Sequence, residues 1–154
     1  MFQKFNLRKA TLEDVLAIDT LMKRSMNALG QGYYTPEQVA SACRYVCVPD
    51  KQVILDGTYF IVEDLQRRMV GCGGWSFRNT LYAGPAAAED QDNRLDPKRD
   101  FARIRAMFVH PDVSGQGVGS LILQASEKAA KVAGFKSGAL GATQSGLAFY
   151  THNR

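Results

Sequence analysis

Val109-His110-Pro111-Asp112-Val113-Ser114-Gly115-Gln116-Gly117-Val118-Gly119-Ser120-Leu121 decides the reading of this chain. Before it runs Arg103-Ile104-Arg105-Ala106-Met107-Phe108-Val109, rich in branched and aromatic residues, and it predicts a strand that ends at His110-Pro111. After it, Val118, Leu121, Ile122, Ala125, Ala129 and Val132 recur at helical spacing, Lys128 and Lys131 occupy the last turns, and Gly134 ends the helix. Strand, glycine turn and helix together build an anion site. Glycines let the backbone turn tightly and bring its N–H groups close to a ligand, and a helix N-terminus adds unpaired donors and partial positive charge. A diphosphate suits such a place. The spacing is not the G-x-G-x-x-G dinucleotide fingerprint, and Ser120-Leu121 stands where a phosphate-binding P-loop has Lys-Ser/Thr. On spacing alone, a glycine turn without any ligand remains an alternative.

Outward from this centre the chain alternates in type. Residues 4–9 predict a first strand. Thr11 opens a helix with Asp14 placed to reach back to its cap, and Leu12, Val15, Leu16, Ile18, Met22, Met26 and Leu29 form its apolar positions. Gly30-Gln31-Gly32 breaks it. Thr35-Pro36-Glu37 starts a second helix, with proline at the first helical position, that runs to about Cys47 and is closed by Pro49-Asp50. Residues 58–63 and 69–77 predict two strands joined by a polar turn, 64–68. Gly71, Gly73 and Gly74 inside the second of these point to a bulge or a close backbone approach. Residues 79–100 form a long polar excursion, residues 136–143 another strand, and residues 146–150 a short helix. No repeat or linker interrupts the chain, so residues 1–154 are expected to be one domain.

Composition narrows the function. Hydrophobic residues at 45 % and charged residues at 22 % are those of an ordinary globular protein. The net charge of +4 suits an anionic ligand, and without a basic run nucleic acid is not expected as a partner. No stretch reaches the about 18 apolar residues of a membrane span. Three cysteines, an odd number, with no signal-like N-terminus, point to the cytoplasm. Cys43 and Cys47 share a helix face, but with only His110 and His152 elsewhere they are expected to be small core residues, and no metal is expected.

In this setting the run Val109–Leu121 resembles motif A of the GNAT superfamily of acetyltransferases: a strand ending V-x-P, then [QR]-x-x-G-x-[GA], then a helix. Gly117 and Gly119 match the two small positions, while Ser114 stands where Gln or Arg is usual. Element order agrees along almost the whole chain. The resemblance implies an α+β fold, a mixed but mostly antiparallel twisted sheet flanked by helices, with acetyl-CoA as co-substrate and a small-molecule or peptide amine as acceptor. It implies that the motif strand splays from its neighbour, so that the backbone of Met107, Phe108 and Val109 pairs with the pantetheine arm. The loop residues Ser114, Gly115, Gln116, Gly117, Val118, Gly119 and Ser120 would then hold the pyrophosphate.

Leu147-Ala148-Phe149-Tyr150 resembles the F-Y of motif B, which gives Tyr150 the role of protonating the departing thiolate; its alternative is packing against the last strand. Many members carry a Glu on the motif strand as general base. Here that strand has no acid, so Glu63, His110, Asp112 or a water chain must stand in. Arg103 and Arg105 alternate on one strand face, toward a carboxylate on the acceptor or toward the acids of 79–100. Tyr33, Tyr34 and Trp75 are further candidates for the acceptor cleft, and Trp75 also reads as core. Family members continue past the tyrosine into one more strand, which this sequence lacks. The open edge left behind calls for a longer chain or a partner subunit, and a homodimer is one such assembly. The competing functions are a coenzyme-A-binding module of the same fold without catalysis, and a different nucleotide-binding α/β protein.

Overall fold

The computed structural model describes residues 4–29, 34–45, 47–78, 94–136 and 138–140. Among these residues five strands form one sheet in the order β1 (Asn6–Lys9), β2 (Tyr59–Glu63), β3 (Met69–Ser76), β4 (Ala102–Val109) and β5 (Gly138–Leu140). The first four are antiparallel in sequence, and β5 runs parallel to β4. The expected α+β sheet flanked by helices is therefore present. The described helices are α1 (Val15–Leu29), α2 (Pro36–Tyr45), α3 (Lys51–Leu55) and α4 (Val118–Val132).

Alternation along the strands divides the core in two. Tyr59, Ile61, Cys72 and Phe108 face α1 and α3, where they meet Ile18, Met22, Met26 and Val53. Phe60, Trp75 and Ile104 face the other way, onto Leu123, Ala130 and Phe135 around α4. Val62 and Val70 extend that side against Val118 and Ile122. The apolar stripes are turned from the expected ones. On α4, Leu121 and Val132 are exposed while Leu123 and Ala130 are buried. On the first helix Leu12 and Leu16 face solvent, and Leu21 takes their place inside. A recurrence of apolar residues fixes the period, but the neighbouring sheet fixes which residues of a wide stripe go under.

Local signals act as the sequence indicates. The Thr11 N–H donates to Asp14 Oδ2 at 2.7 Å, though across a 3-10 turn, Leu12–Asp14, that precedes α1. Asp14 also pairs with Arg8, and this pairing holds its carboxyl below the usual range. Thr35 Oγ1 accepts from Gln38 N at 3.1 Å at the start of α2. Asp50 does not close that helix; it opens α3, accepting from Gln52 N at 2.9 Å.

The glycines of β3 mark both features expected of them. A Cβ on Gly74 would lie 2.2 Å from the Thr58 carbonyl oxygen, and one on Gly73 would lie 2.8 Å from Ile122 and 3.0 Å from the Met107 Cα. The bulge itself sits on the partner strand. Cys72 pairs with Phe108 and Gly74 with Arg105, so Ala106 and Met107 together oppose Gly73.

Candidate active site

The loop between β4 and α4 is wound by short backbone bonds. Val113 N donates to His110 O at 3.1 Å, Ser114 N to Pro111 O at 3.3 Å and Gln116 N to Val113 O at 3.2 Å. His110 ends the strand and caps this 3-10 turn, Pro111–Val113, its Nδ1 accepting from Asp112 N at 3.1 Å. The chain then passes through the left-handed region twice, at Gly115 (φ 79°) and Gly117 (φ 89°), and Gly117 becomes the N-cap of α4. Those angles favour glycine because a Cβ there crowds the following carbonyl.

Residues Ser114–Gly117 are exposed, while Val118 and Gly119 are buried under them against the sheet. The first intrahelical bond of α4 is Leu121 N to Gly117 O at 3.1 Å. A helix leaves the N–H groups of its first turn without intrahelical partners, so those of Gly117, Val118 and Gly119 have none within α4 and sit at the positive end of its dipole. Gln116, expected among those donors, has its backbone N–H committed to Val113. A Cβ at Gly115 or Gly117 would meet no protein atom within 4 Å, so the space over the loop is open to a ligand.

Along the sheet from this loop, β4 pairs with β5 at Ala102, Arg103 and Ile104, and among the described residues no pairing with β5 continues beyond them. Met107–Val109 thus lie between the end of that pairing and the loop. The bulge begins where the pairing stops. Ala106 has φ 47°, and its carbonyl accepts a bond from the Tyr59 hydroxyl at 2.8 Å.

Other candidates fall in different surroundings. Arg103 is half-buried and paired in register with Ser76. Arg105 points inward, fully buried, with its Nη2 2.9 Å from Asp50 Oδ2. Trp75 is core, edge-on to Phe77 and Phe135 at about 6 Å. Tyr33 and Tyr150, with all of 79–93 and 141–154, lie outside the described residues. Tyr34 is half-buried at the start of the segment leading into α2.

The three stand-ins for a base also separate. Glu63 holds Arg8 at 3.2 Å at the far end of β2, and Asp112 is largely exposed. His110 turns toward α1, its Nε2 3.4 Å from Arg24 Nη1, into a cleft of about 380 Å³ that Arg24, Leu21, Arg68 and Val70 also line. No group of His, Cys, Asp or Glu among the described residues is arranged to hold a metal, and no described helix is long and apolar enough to cross a membrane.

Two features of the site escaped the sequence reading. The Asp50 carboxylate reaches Arg105 across 55 positions, and Tyr59 reaches Ala106 across 47. Pro49-Asp50 before Lys51-Gln52-Val53-Ile54 is a cap signal in hindsight, but nothing local reports the strand that Asp50 would meet.

Known proteins resemble the chain in sequence and in fold. The sequence matches the acetyltransferase (GNAT) domain family over residues 55–153. No curated protein matches it significantly. Among solved structures, the PaiA N-acetyltransferase of Thermoplasma acidophilum, in complex with coenzyme A, superposes with a TM-score of 0.69 at 15 % identity over 98 % of this chain and 89 % of that one. A GCN5-related N-acetyltransferase from Rhodopseudomonas palustris gives 0.67 at 23 % identity, over 99 % and 82 %. A predicted acetyltransferase from Clostridium acetobutylicum, with acetyl-CoA, gives 0.60 at 17 % identity, over 97 % and 88 %. Those likenesses carry the fold, and the domain match covers well over half the chain, so this chain belongs to the GNAT family of acetyltransferases.

Proposed function

We propose that the protein transfers an acetyl group from acetyl-CoA to an amine. The observation that carries this is the open loop at Gly115–Gly117, two left-handed glycines feeding the N-terminus of α4 at the end of a strand whose outer pairing stops at Ile104. In this reading the pyrophosphate lies over the loop, on the N–H groups of Gly117, Val118 and Gly119, with Ser114, Gly115, Gln116 and Ser120 around it. The pantetheine arm runs back along Met107, Phe108 and Val109. The coenzyme's thioester supplies the acetyl group, and the chain contributes mainly position. The free amine attacks the thioester carbon, the C–S bond breaks, the amine loses a proton, and the Tyr150 hydroxyl protonates the departing thiolate.

Tyr33 and Arg103 are proposed to face the acceptor. Trp75 and Arg105, both buried, would act beneath that surface rather than on it. Cys47 and Cys72 are buried and outside any disulfide, which is compatible with a cytoplasmic location, and a homodimer is the assembly proposed.

Calorimetry with acetyl-CoA, followed by release of free thiol with a panel of amines, tests the reading. Binding and acceptor-dependent thiol release are expected. No binding would refute it, and binding without turnover on any amine would favour the non-catalytic module, a reading that Ser114 and the lack of an acid on β4 keep in play.

A further inference from the structure

We infer that the Tyr59 hydroxyl is a positioning group for the transfer reaction: it holds the bulge of β4 in the form that presents its backbone to the thioester carbonyl. The inference rests on the acetyl-CoA reading and deepens it. An arm that leaves the pyrophosphate over Gly117 and runs back along Val109, Phe108 and Met107 brings its reacting end beside Ala106, at the bulge. Residues 106 and 107 are the ones that leave the regular ladder with β3. Their backbone orientation is therefore set by the bulge and not by strand pairing.

That orientation is not one the chain adopts by default. Ala106 stands in the left-handed region without being glycine, and such a residue persists only where its surroundings hold it. The surroundings here are specific. Tyr59, at the start of β2, is buried beneath the sheet, and its hydroxyl donates to Ala106 O at 2.8 Å. Burial holds the phenol well above its ordinary pKa, and the neighbouring Cys72 thiol adds to that effect, so the hydroxyl keeps its proton for this bond. On the preceding residue Arg105 is fixed by Asp50, which is itself tied to the first turn of α3. Gly73, opposite, leaves just enough room, since a Cβ there would approach the Met107 Cα to 3.0 Å. Of these contacts the Tyr59 bond is the one made to the backbone of the left-handed residue itself. Removing it leaves a carbonyl without this donor and a strained residue without its anchor.

The test is isotope-edited infrared spectroscopy of acetyl-CoA labelled with 13C at the thioester carbonyl, bound to wild type, Tyr59→Phe, Tyr59→Phe/Ala106→Gly and Thr58→Val, with calorimetry of coenzyme A binding to each. Tyr59→Phe keeps the ring and removes one oxygen. Thr58→Val removes a neighbouring buried hydroxyl that donates at 3.3 Å to Val53 O, on α3 and not on β4. The expected result is a carbonyl stretch lowered on binding to wild type and to Thr58→Val, with that lowering lost in Tyr59→Phe while coenzyme A affinity is unchanged. Ala106→Gly should restore it, because glycine adopts the left-handed angle without an anchor.

An unchanged stretch in Tyr59→Phe, an equal loss in Thr58→Val, or no recovery in the double variant would overturn the role of Tyr59 and leave the coenzyme reading standing. Should Tyr59→Phe not fold, the double variant decides: wild-type lowering supports the role, and lost lowering overturns it. A wild-type protein that does not bind acetyl-CoA would remove both.

Discussion

Gly117→Ala separates the strain of the coenzyme loop from its function. Gly117 lies at φ 89° and ψ 6°, and its missing Cβ would touch nothing within 4 Å. The cost to the folded protein is then the left-handed backbone alone, about 1–2 kcal/mol for an L residue. For a chain of this size each kcal/mol lowers Tm by roughly 2–4 °C, so a fall of about 2–8 °C is expected. Gly134 supplies the control. It is left-handed too, at φ 100°, it follows the other end of α4, and its Cβ would meet only Pro97 at an ordinary 3.5 Å. Gly134→Ala should lower Tm by a similar amount.

The two variants part on binding. At Gly117 the methyl group enters the space above the first-turn donors, and each charge-assisted bond lost there is worth about 1.5–3 kcal/mol. One such bond corresponds to roughly tenfold to a hundredfold or more in affinity. Calorimetry should show acetyl-CoA weakened by at least about tenfold in Gly117→Ala and unchanged in Gly134→Ala. Equal affinity in both, with equal loss of Tm, would refute the placement of the pyrophosphate over this loop.

Tyr150→Phe should lower turnover far more than acetyl-CoA affinity, because the hydroxyl is needed only as the thiolate leaves; steady-state kinetics beside calorimetry reads the split. Gly74→Ala forces a Cβ to within 2.2 Å of the Thr58 carbonyl oxygen and 2.8 Å of the Tyr59 Cα, both backbone. Overpacking of this kind costs about 1–3 kcal/mol, and a thermal melt within error of wild type would contradict the register of β2 and β3. Asp50→Asn removes the charge opposite the buried Arg105 and should cost about 3–5 kcal/mol, read as a lower urea midpoint with an unchanged m-value. Asp56 is pushed up by burial but held lower on balance by Arg78 and Gln52. Its contribution is therefore present above the unfolded carboxylate pKa of about 4 and is lost as pH falls below it. Asp56→Asn should flatten the decline of Tm on the acid side of about pH 4 and leave its slope near neutrality unchanged, as melts across a pH series would report.

The parts of the fold that the sequence discloses are those encoded over a few neighbouring residues. The Thr35-Pro36 cap, the turn closed by the Asp64 carboxylate on Gln66 N and Arg68 N, and the glycine loop before α4 each depend on side chains within four positions. The same holds for the site: the loop was legible because its signal is local. Helix α3 was missed because five residues are too few to show a period. The glycines of β3 point to a bulge, but its place on β4 was not legible because Arg103–Val109 alternates well enough to pass for a regular strand, and one extra residue changes which side of the sheet Met107 and Phe108 occupy. Arg103 and Arg105 do share a face, as alternation requires, but whether that face meets solvent, substrate or Asp50 is decided by the chain 55 residues earlier.

The same burial that hid these contacts bears on how the reaction disposes of its proton. An ammonium acceptor must lose one before its nitrogen can attack, and the sequence offers no acid on β4 to take it. Around the bulge the described ionisable groups are Tyr59, Cys72, and Arg105 with Asp50. Burial lifts the Cys72 thiol to about 12, with the Tyr59 contact only partly offsetting it, so at neutral pH it holds its proton. Tyr59 is lifted well above its ordinary value and is engaged with Ala106. Asp50 is bound to Arg105 and to the N-terminus of α3. Each is poised to retain its proton or its partner, and His110 faces Arg24 across the cleft on the α1 side. In the proposed reaction the described part of the chain therefore orients the thioester, and the proton leaves through solvent or through a residue outside this set.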